Sequence, residues 1–363
     1  MRIRLKPLRE QVVVVMGASS GIGRETALRL AERGARLVVS ARESEALRGL
    51  EAELRARGGE ARAIPCDVSE WEQVRAVAEG AAEAFGRIDT WILMAGVGLW
   101  ATLEQTTPEE WDRLMAVNAN GQFYGARAAL PHLRRAGGGA LVHVSSVEAD
   151  ATLPFQSAYA ASKHAVHAML ETLRMELQAE GVPISVTEIK PYGISTPLFD
   201  NAATKIGTKP QPLPPLYHPA LAAEAVVYAT EHPVPELTVG GVGRASVLGE
   251  RYAPGIADSF LRRAGPRGQR TDEPRPPEFE GNLFRTANDS RVEGSLTPKA
   301  RRTSLYTWLS LHPGIRMAAA GAALGAAAML LMRAGRPDGA VSTPDAHRAA
   351  EELPEAVYAG HPT

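Results

Sequence analysis

Short apolar runs rich in β-branched residues alternate with longer stretches of helical spacing between residues 10 and 245. The runs lie at 12–16, 36–41, 62–66, 90–95, 140–146, 184–189 and 237–241. The stretches between them lie at 22–33, 44–57, 70–85, 108–136, 156–180 and 220–231. Unbroken apolar runs are typical of strands covered on both faces, and strand–helix alternation is typical of parallel sheets. The pattern predicts an α/β fold, a Rossmann-like doubly wound parallel sheet in a single domain over residues 1–250.

The pattern changes after residue 250. Residues 251–316 are dense in proline, glycine and charge, so they are predicted to form a flexible, disordered linker. The uncharged, alanine-rich segment 317–332 predicts a C-terminal apolar helix, and its length of about 24 Å is short of a hydrocarbon core of about 30 Å. The flanking Arg316 and Arg333 extend its reach, which favours a membrane anchor. The alternative is a soluble helix packed on the domain or on another subunit. The polar tail 333–363 is predicted to be disordered.

Charge and cysteine content exclude several classes of protein. Lys and Arg number 40 against 41 Asp and Glu, so there is no basic excess of the kind that general nucleic-acid binding needs. The single cysteine, Cys66, excludes an intrachain disulfide and a CxxC metal site, and no metal is expected. The N-terminus carries basic residues and a short apolar run that leads into a glycine turn. We interpret it as a first strand rather than a signal peptide, so the catalytic domain is expected in the cytoplasm.

A glycine motif follows the first predicted strand and opens the first helix. It reads Gly17-Ala18-Ser19-Ser20-Gly21-Ile22-Gly23. Glycines permit a tight turn and a close approach of the backbone, and a helix N-terminus offers N–H groups to a pyrophosphate. The motif predicts nucleotide binding, because it occurs in the strand–turn–helix context that this mechanism requires.

The residues at the end of the second predicted strand indicate which nucleotide cofactor the protein binds. The acidic residue that would bind a ribose 2′-hydroxyl is missing there, and Ala41 is followed by Arg42. A cation at this place favours a 2′-phosphate, hence NADP(H). The alternative is a solvated arginine at the start of a helix. Asp67 lies after the third strand, where it can accept from the adenine amino group or cap the next helix.

A third set of residues carries the chemistry of proton transfer. Tyr159 and Lys163 are spaced i, i+4 and share one helix face, and Ser146 ends a β-rich run thirteen residues before the tyrosine. A lysine ammonium near a tyrosine hydroxyl favours the phenolate, and a serine can bond the substrate oxygen. Together they can move a proton while a hydride moves to or from a nicotinamide.

These motifs resemble the short-chain dehydrogenase/reductase family over roughly residues 8–245, most clearly in QSAYAASKHAV at 156–166. The resemblance implies a catalytic tetrad of Asn118, Ser146, Tyr159 and Lys163. In it Tyr159 is the general acid/base, Lys163 binds the nicotinamide ribose and lowers the tyrosine pKa, Ser146 orients the carbonyl, and Asn118 holds a relay water. The implied cofactor-binding positions are Gly17, Ser19, Ser20, Gly21, Ile22, Gly23, Arg42, Asp67, Val68, Ala95, Gly96, Tyr159, Lys163, Pro191, Ile194 and Thr196.

The resemblance implies an NADP(H)-dependent oxidoreductase that interconverts a carbonyl and a secondary alcohol on a small or lipid-like substrate. It also implies a homo-oligomer. Three positions depart from the family pattern, namely Met16, Met94 and Tyr192. The tetrad survives them, so they bear on cofactor affinity more than on chemistry. The alternative function is a catalytically silent nucleotide-sensing or scaffold protein on the same fold.

Two carboxylates follow the predicted catalytic serine, Glu148 and Asp150, where the family often carries small residues. The preferred interpretation is a solvated loop at the rim of the pocket. The alternative is a contact with a polar or cationic group of the substrate.

Overall fold

The computed structural model describes residues 3–42, 44–277 and 279–334. Its strands are β1 (Val12–Met16), β2 (Arg36–Ser40), β3 (Ala61–Ala63), β4 (Thr90–Leu93), β5 (Leu99–Trp100), β6 (Gly139–Val144), β7 (Ile184–Pro191), β8 (Ala203–Thr204), β9 (Thr208–Pro210), β10 (Glu236–Val239) and β11 (Arg270–Pro274). Seven of them form one parallel sheet in the order β10-β7-β6-β4-β1-β2-β3. The predicted Rossmann-like α/β fold is therefore confirmed.

Helices cover both faces of this sheet. In chain order, the helices of the described residues are α1 (Gly21–Glu32), α2 (Glu45–Ala56), α3 (Trp71–Phe85), α4 (Pro108–Met115), α5 (Gly121–Arg135), α6 (Ser157–Ala179), α7 (Pro197–Asn201), α8 (Pro219–Ala229), α9 (Gly241–Tyr252), α10 (Pro254–Gly268), α11 (Leu305–Leu311) and α12 (Pro313–Ala334). Val13 and Val15 of β1 join one apolar core, whereas Val14 and Met16 join the other. Successive strand residues point to opposite faces, so β1 needs an apolar side chain at every position.

The order of the strands determines where a ligand can bind. The chain runs outward from β1 through β2 to β3, then returns to the other side of β1 with β4. Parallel neighbours on both sides of β1 leave a crevice at their carboxyl ends, where the loops diverge. The glycine motif follows β1 at this crevice.

Residues 251–277 and 279–312 are folded, so the prediction of a flexible linker over 251–316 is wrong for most of its length. A compact unit runs from Met1 to His312, well past the predicted domain end at 250. In it β11 pairs antiparallel with β9, and Leu283 and Gln269 are 0% exposed. The average composition of residues 251–316 does not reveal these few buried residues, which anchor the segment to the domain. The Gln269 side chain accepts from Trp100 Nε1 at 3.0 Å and from Gln156 Nε2 at 2.8 Å, so its burial leaves no unpaired oxygen.

The last described element, α12, belongs to a second unit that begins at Pro313. It contains the apolar segment 317–332, which is helical as predicted. Among the described residues, no helix is both long enough and apolar enough to cross a membrane, so the predicted membrane anchor has no support. The predicted disordered tail, 333–363, lies almost wholly outside the described residues.

Candidate active site

The turn between β1 and α1 has no room for side chains at its glycines. Gly17 has a φ of +88°, and a Cβ added there would lie 2.6 Å from the backbone nitrogen of Ala95. A Cβ added to Gly23 would lie 2.0 Å from the carbonyl oxygen of Gly17. Both distances are shorter than any van der Waals contact, so the glycines let the backbone of α1 approach the ends of β1 and β4.

A cleft of about 280 Å³ opens at this edge of the sheet. Every position that the sequence predicted for cofactor binding lines it, including the glycine motif and Pro191, Ile194 and Thr196. Ser146, Tyr159 and Lys163 line the same cleft. The fold thus brings together residues that are up to about 180 positions apart in the chain.

Tyr159 and Lys163 lie one turn apart on α6. The Lys163 ammonium nitrogen is 5.3 Å from the centre of the Tyr159 ring. Ser146 follows β6, and its Oγ accepts a hydrogen bond from the backbone N–H of Glu148 at 3.1 Å. Since an accepting hydroxyl can still donate its own proton, Ser146 remains able to bond a substrate oxygen.

Burial dominates the ionisation of both α6 groups. It lowers the pKa of Lys163 to about 8, against the opposing charges of Glu188 and Glu148. Burial also raises the pKa of Tyr159, the Glu148 carboxylate raises it further, and a hydrogen bond from Ser146 acts against both. Tyr159 is therefore a neutral phenol at neutral pH, which is the proton-donating state that reduction of a carbonyl requires.

Asn118, the fourth member of the predicted tetrad, lies behind the cleft wall. It is fully buried in a π-helical turn, Ala116–Asn120, between α4 and α5. Its amide nitrogen donates to the carbonyl of Val97, and its amide oxygen accepts from the N–H of the same residue, both at 2.9 Å. Both ends of the side chain are engaged, and the residue does not line the cleft. Its side chain therefore holds the loop after β4 in place.

The two residues predicted to contact adenosine both have hydrogen-bond partners within the protein. Arg42 follows β2 as expected, and its guanidinium donates to the carbonyl of Asn282 at 3.1 Å. The Asp67 carboxylate accepts from Arg113 at 2.7 Å and from the hydroxyl of Ser69 at 2.8 Å. The predicted alternative, that Asp67 caps the next helix, is wrong, because the N-cap of α3 is Glu70 and the Asp67 carboxylate instead orders the turn before it.

A segment that the sequence analysis missed lines the cleft beside Arg42. We call residues 279–297 the strap. Its residues Asn282, Thr286, Ala287 and Asp289 line the cleft. The carbonyl of Arg291 accepts from the N–H of Gly21 at 2.9 Å, at the start of α1. The segment carries no cofactor motif, so only its contacts in the fold reveal that it forms part of the cleft.

Glu148 overturns the interpretation of a solvated rim. The side chain is 6% exposed and lines the cleft beside Tyr159 and Lys163. Asp150 instead turns away from the cleft, and its carboxylate pairs with Lys190 at 2.7 Å. The short 3-10 turn Val147–Ala149 directs these two carboxylates to different places.

Of the three departures from the family pattern, two lie in the cleft wall. Met94 and Tyr192 both line it. Tyr192 packs against Gly243, where an added Cβ would lie 2.6 Å from the tyrosine Cβ, and its hydroxyl donates to the carbonyl of Pro214 at 3.2 Å. The tyrosine that replaces the family glycine is thus part of a packed wall.

Comparison with known proteins supports the family directly. A family model described as short chain dehydrogenase matches residues 11–207. The uncharacterised oxidoreductase YxnA of Bacillus subtilis is 36% identical over 314 residues, which cover 86% of this chain and 88% of the relative. A dehydrogenase/reductase named SDR family member 7B from Bos taurus is 40% identical over 209 residues, 56% of this chain and 63% of the relative.

Solved structures of this fold contain nicotinamide nucleotides. A metagenomic short-chain oxidoreductase in complex with NADP is 30% identical, with a TM-score of 0.55, and the match covers 64% of this chain and 98% of that one. A short-chain dehydrogenase/reductase from Burkholderia phymatum in complex with NAD is 26% identical, with a TM-score of 0.63, over 72% and 98%. With its fold, its glycine turn and its Ser-Tyr-Lys arrangement in one cleft, this chain belongs to the short-chain dehydrogenase/reductase family of oxidoreductases.

Proposed function

We propose that the protein is an NADP(H)-dependent oxidoreductase that interconverts a carbonyl and a secondary alcohol, with Tyr159 as general acid/base. The observation that carries the proposal is that Ser146, Tyr159 and Lys163 line the same cleft as the glycine turn. A proton donor and a nucleotide site in one enclosure are what hydride transfer to a carbonyl requires.

The glycine turn fits a dinucleotide, because Gly17 and Gly23 leave a cradle that a Cβ would fill. The first turn of α1 would hold the pyrophosphate, and Pro191, Ile194 and Thr196 would hold the nicotinamide end. The bound nicotinamide supplies or accepts the hydride.

The chain's own residues handle the proton. Ser146 donates to the carbonyl oxygen and fixes its position, and Tyr159 delivers its phenolic proton to that oxygen as the alcohol forms. The positive charge of Lys163 stabilises the phenolate that remains. In the reverse direction the same phenolate removes the proton from the alcohol. The substrate is a small or lipid-like molecule, which suits the apolar walls that Trp100, Tyr192 and Phe199 give the cleft.

Preference for NADP(H) rests on Arg42. A guanidinium at the end of β2 can bind the 2′-phosphate of NADP(H) in a bidentate manner, whereas NAD(H) has only a hydroxyl there. Among the solved relatives, one is bound to NADP and another to NAD, so the cofactor must be decided from this chain's own residues.

A fluorescence titration tests the cofactor proposal. Trp100 lines the cleft, so binding of NADPH to the full-length protein should quench its emission and sensitise that of the nicotinamide. We expect NADPH to bind more tightly than NADH, and Arg42→Asp to weaken NADPH by about 10- to 100-fold without weakening NADH. If NADH binds as tightly as NADPH, the assignment of the cofactor is wrong. If neither binds, the scaffold alternative takes its place.

A further inference from the structure

Glu148 is a buried carboxyl group that the proposed mechanism does not use. It is 6% exposed, lines the cleft, and its Oε2 atom has no hydrogen-bond partner among the described residues. The hydrogen bond from its backbone N–H to Ser146 Oγ ties its position to that of a catalytic residue. A buried polar atom without a partner destabilises the folded protein, so its presence beside the reacting groups calls for a ligand.

The surroundings of Glu148 favour its neutral form. Burial raises its pKa to about 8, and the Lys163 ammonium, which lowers it, does not outweigh burial. The charge of Glu188, on β7, raises the pKa of Lys163, as the charge of Glu148 does. Asp150 does not line the cleft, and its carboxylate lies 2.7 Å from the ammonium nitrogen of Lys190. A protonated carboxyl group both donates and accepts hydrogen bonds.

A neutral carboxyl group also suits the chemistry next to it. An ionised Glu148 opposes formation of the Tyr159 phenolate, which raises the pKa of the tyrosine. A substrate cation would require that ionised form, whereas a substrate hydroxyl can pair with the neutral one. The apolar side chains of Trp100, Leu153 and Phe199 also line the cleft, so Glu148 adds a polar group to a cleft with apolar walls.

We propose that Glu148 is a specificity-determining residue that binds a hydroxyl group carried by the substrate near the reacting carbon. The substrate class is then the hydroxy ketones and the corresponding diols. Their apolar body packs on the apolar walls of the cleft, and their hydroxyl group binds Glu148. The inference rests on the proposed carbonyl–alcohol oxidoreductase function.

Reduction of three related ketones by the full-length protein tests this. The probes are acetophenone and its derivatives with a hydroxyl or an amino group on the carbon next to the carbonyl, 2-hydroxy-1-phenylethanone and 2-amino-1-phenylethanone. Each is assayed with NADPH for kcat/KM. The hydroxyl alters the intrinsic reactivity of the ketone, so the informative quantity is the hydroxy-to-plain ratio in each variant compared with the wild type. This ratio is also independent of how much of each variant is folded.

Three variants separate the possible roles. Glu148→Leu removes both hydrogen-bonding functions, and we expect the hydroxy-to-plain ratio to fall about 10-fold or more. Glu148→Gln keeps a donor and an acceptor of the same shape and should retain the ratio within about 3-fold. Asp150→Asn changes a carboxylate in the same loop that does not face the cleft, so it serves as the matched control and should leave the ratio unchanged.

The outcomes are distinct. An unchanged ratio in Glu148→Leu overturns the inference and leaves the proposed function intact. A larger fall in the amino-to-plain ratio than in the hydroxy-to-plain ratio overturns the hydroxyl assignment, because the anchor then recognises a cation. If the wild type binds NADPH but reduces none of the three ketones, the proposed function fails and the inference falls with it.

Discussion

Single residues explain both the chemistry and the electrostatic state of the cleft. Tyr159 and Lys163 could be named from the sequence, because a helix places positions four apart on the same face. Their ionisation could not, because it depends on burial by loops distant in sequence, which lowers the pKa of Lys163 to about 8 and raises that of Tyr159. For the same reason the sequence did not reveal that Glu148 is buried while Asp150 pairs with Lys190.

Replacing Tyr159 by Phe removes the proton donor and little else. We expect kcat to fall by about 10²- to 10⁴-fold, the usual contribution of a positioned acid or base. NADPH affinity should stay within about 3-fold, since the ring that faces Lys163 is preserved. Steady-state kinetics and the fluorescence titration measure the two quantities. A variant that keeps its turnover would assign the proton to another group.

His143 gives the protein a defined sensitivity to acid. It is fully buried on β6, where its Nδ1–H donates to Gln122 at 2.8 Å. Burial lowers its pKa from 6.5 to about 3. Below pH 6.5 the unfolded chain therefore binds a proton that the folded chain does not, so this contribution to stability is lost as the pH falls from 6.5 towards 3.

The measurement is chemical unfolding at pH 7 and pH 5. The His143 contribution to the loss between them is about 2 kcal/mol, and it should disappear in His143→Gln. The exposed His312 offers a control, since His312→Gln should keep the wild-type difference. An equal pH dependence in all three proteins would show that His143 titrates normally in the fold.

At the scale of elements, the sequence predicted what periodicity encodes and missed what depends on tertiary contacts. The run VVVVM became β1, and the predicted helix 22–33 became α1 with nearly the same bounds. The predicted helix 108–136 is interrupted by the π-helical turn that carries Asn118, a distortion that no hydrophobic repeat encodes. The strap was missed because its one deeply buried apolar side chain, Leu283, is surrounded by proline, glycine and charge.

Leu283 should be the main anchor of the strap. It packs in the core cluster on the α3, α5 and α6 side of the sheet and is 0% exposed. Leu283→Ala should lower the free energy of unfolding by about 2–3 kcal/mol, as for other buried leucines. The matched control is Leu305→Ala, at a leucine that is 73% exposed, with an expected change within about 0.5 kcal/mol. Equal effects of the two substitutions on urea unfolding would mean that the strap is not anchored by Leu283.

For the whole molecule, the unit that should fold ends near His312 rather than at residue 250. A protein of residues 1–312 should unfold at the same temperature as the full chain and bind NADPH with the same affinity. A protein of residues 1–250 lacks Gln269 and so leaves the buried Trp100 Nε1 without its acceptor. We expect it to be destabilised by several kcal/mol, which calorimetry and the same titration would detect. Equal stability of the two truncated proteins would show that the domain ends near residue 250, as the sequence predicted.

Under the proposed function, the contacts of the strap make nucleotide binding an exchange of hydrogen-bond partners. Its carbonyls at Arg291 and Asn282 hold the N–H of Gly21 and the guanidinium of Arg42, the donors that a pyrophosphate and a 2′-phosphate would use. A donor engaged by a peptide carbonyl must release it before it can serve an anion, so the measured dissociation constant is the intrinsic one divided by the fraction of molecules with these donors free. Under the proposed function, the strap therefore lowers the apparent affinity for the dinucleotide, because it competes for the donors that the dinucleotide would use.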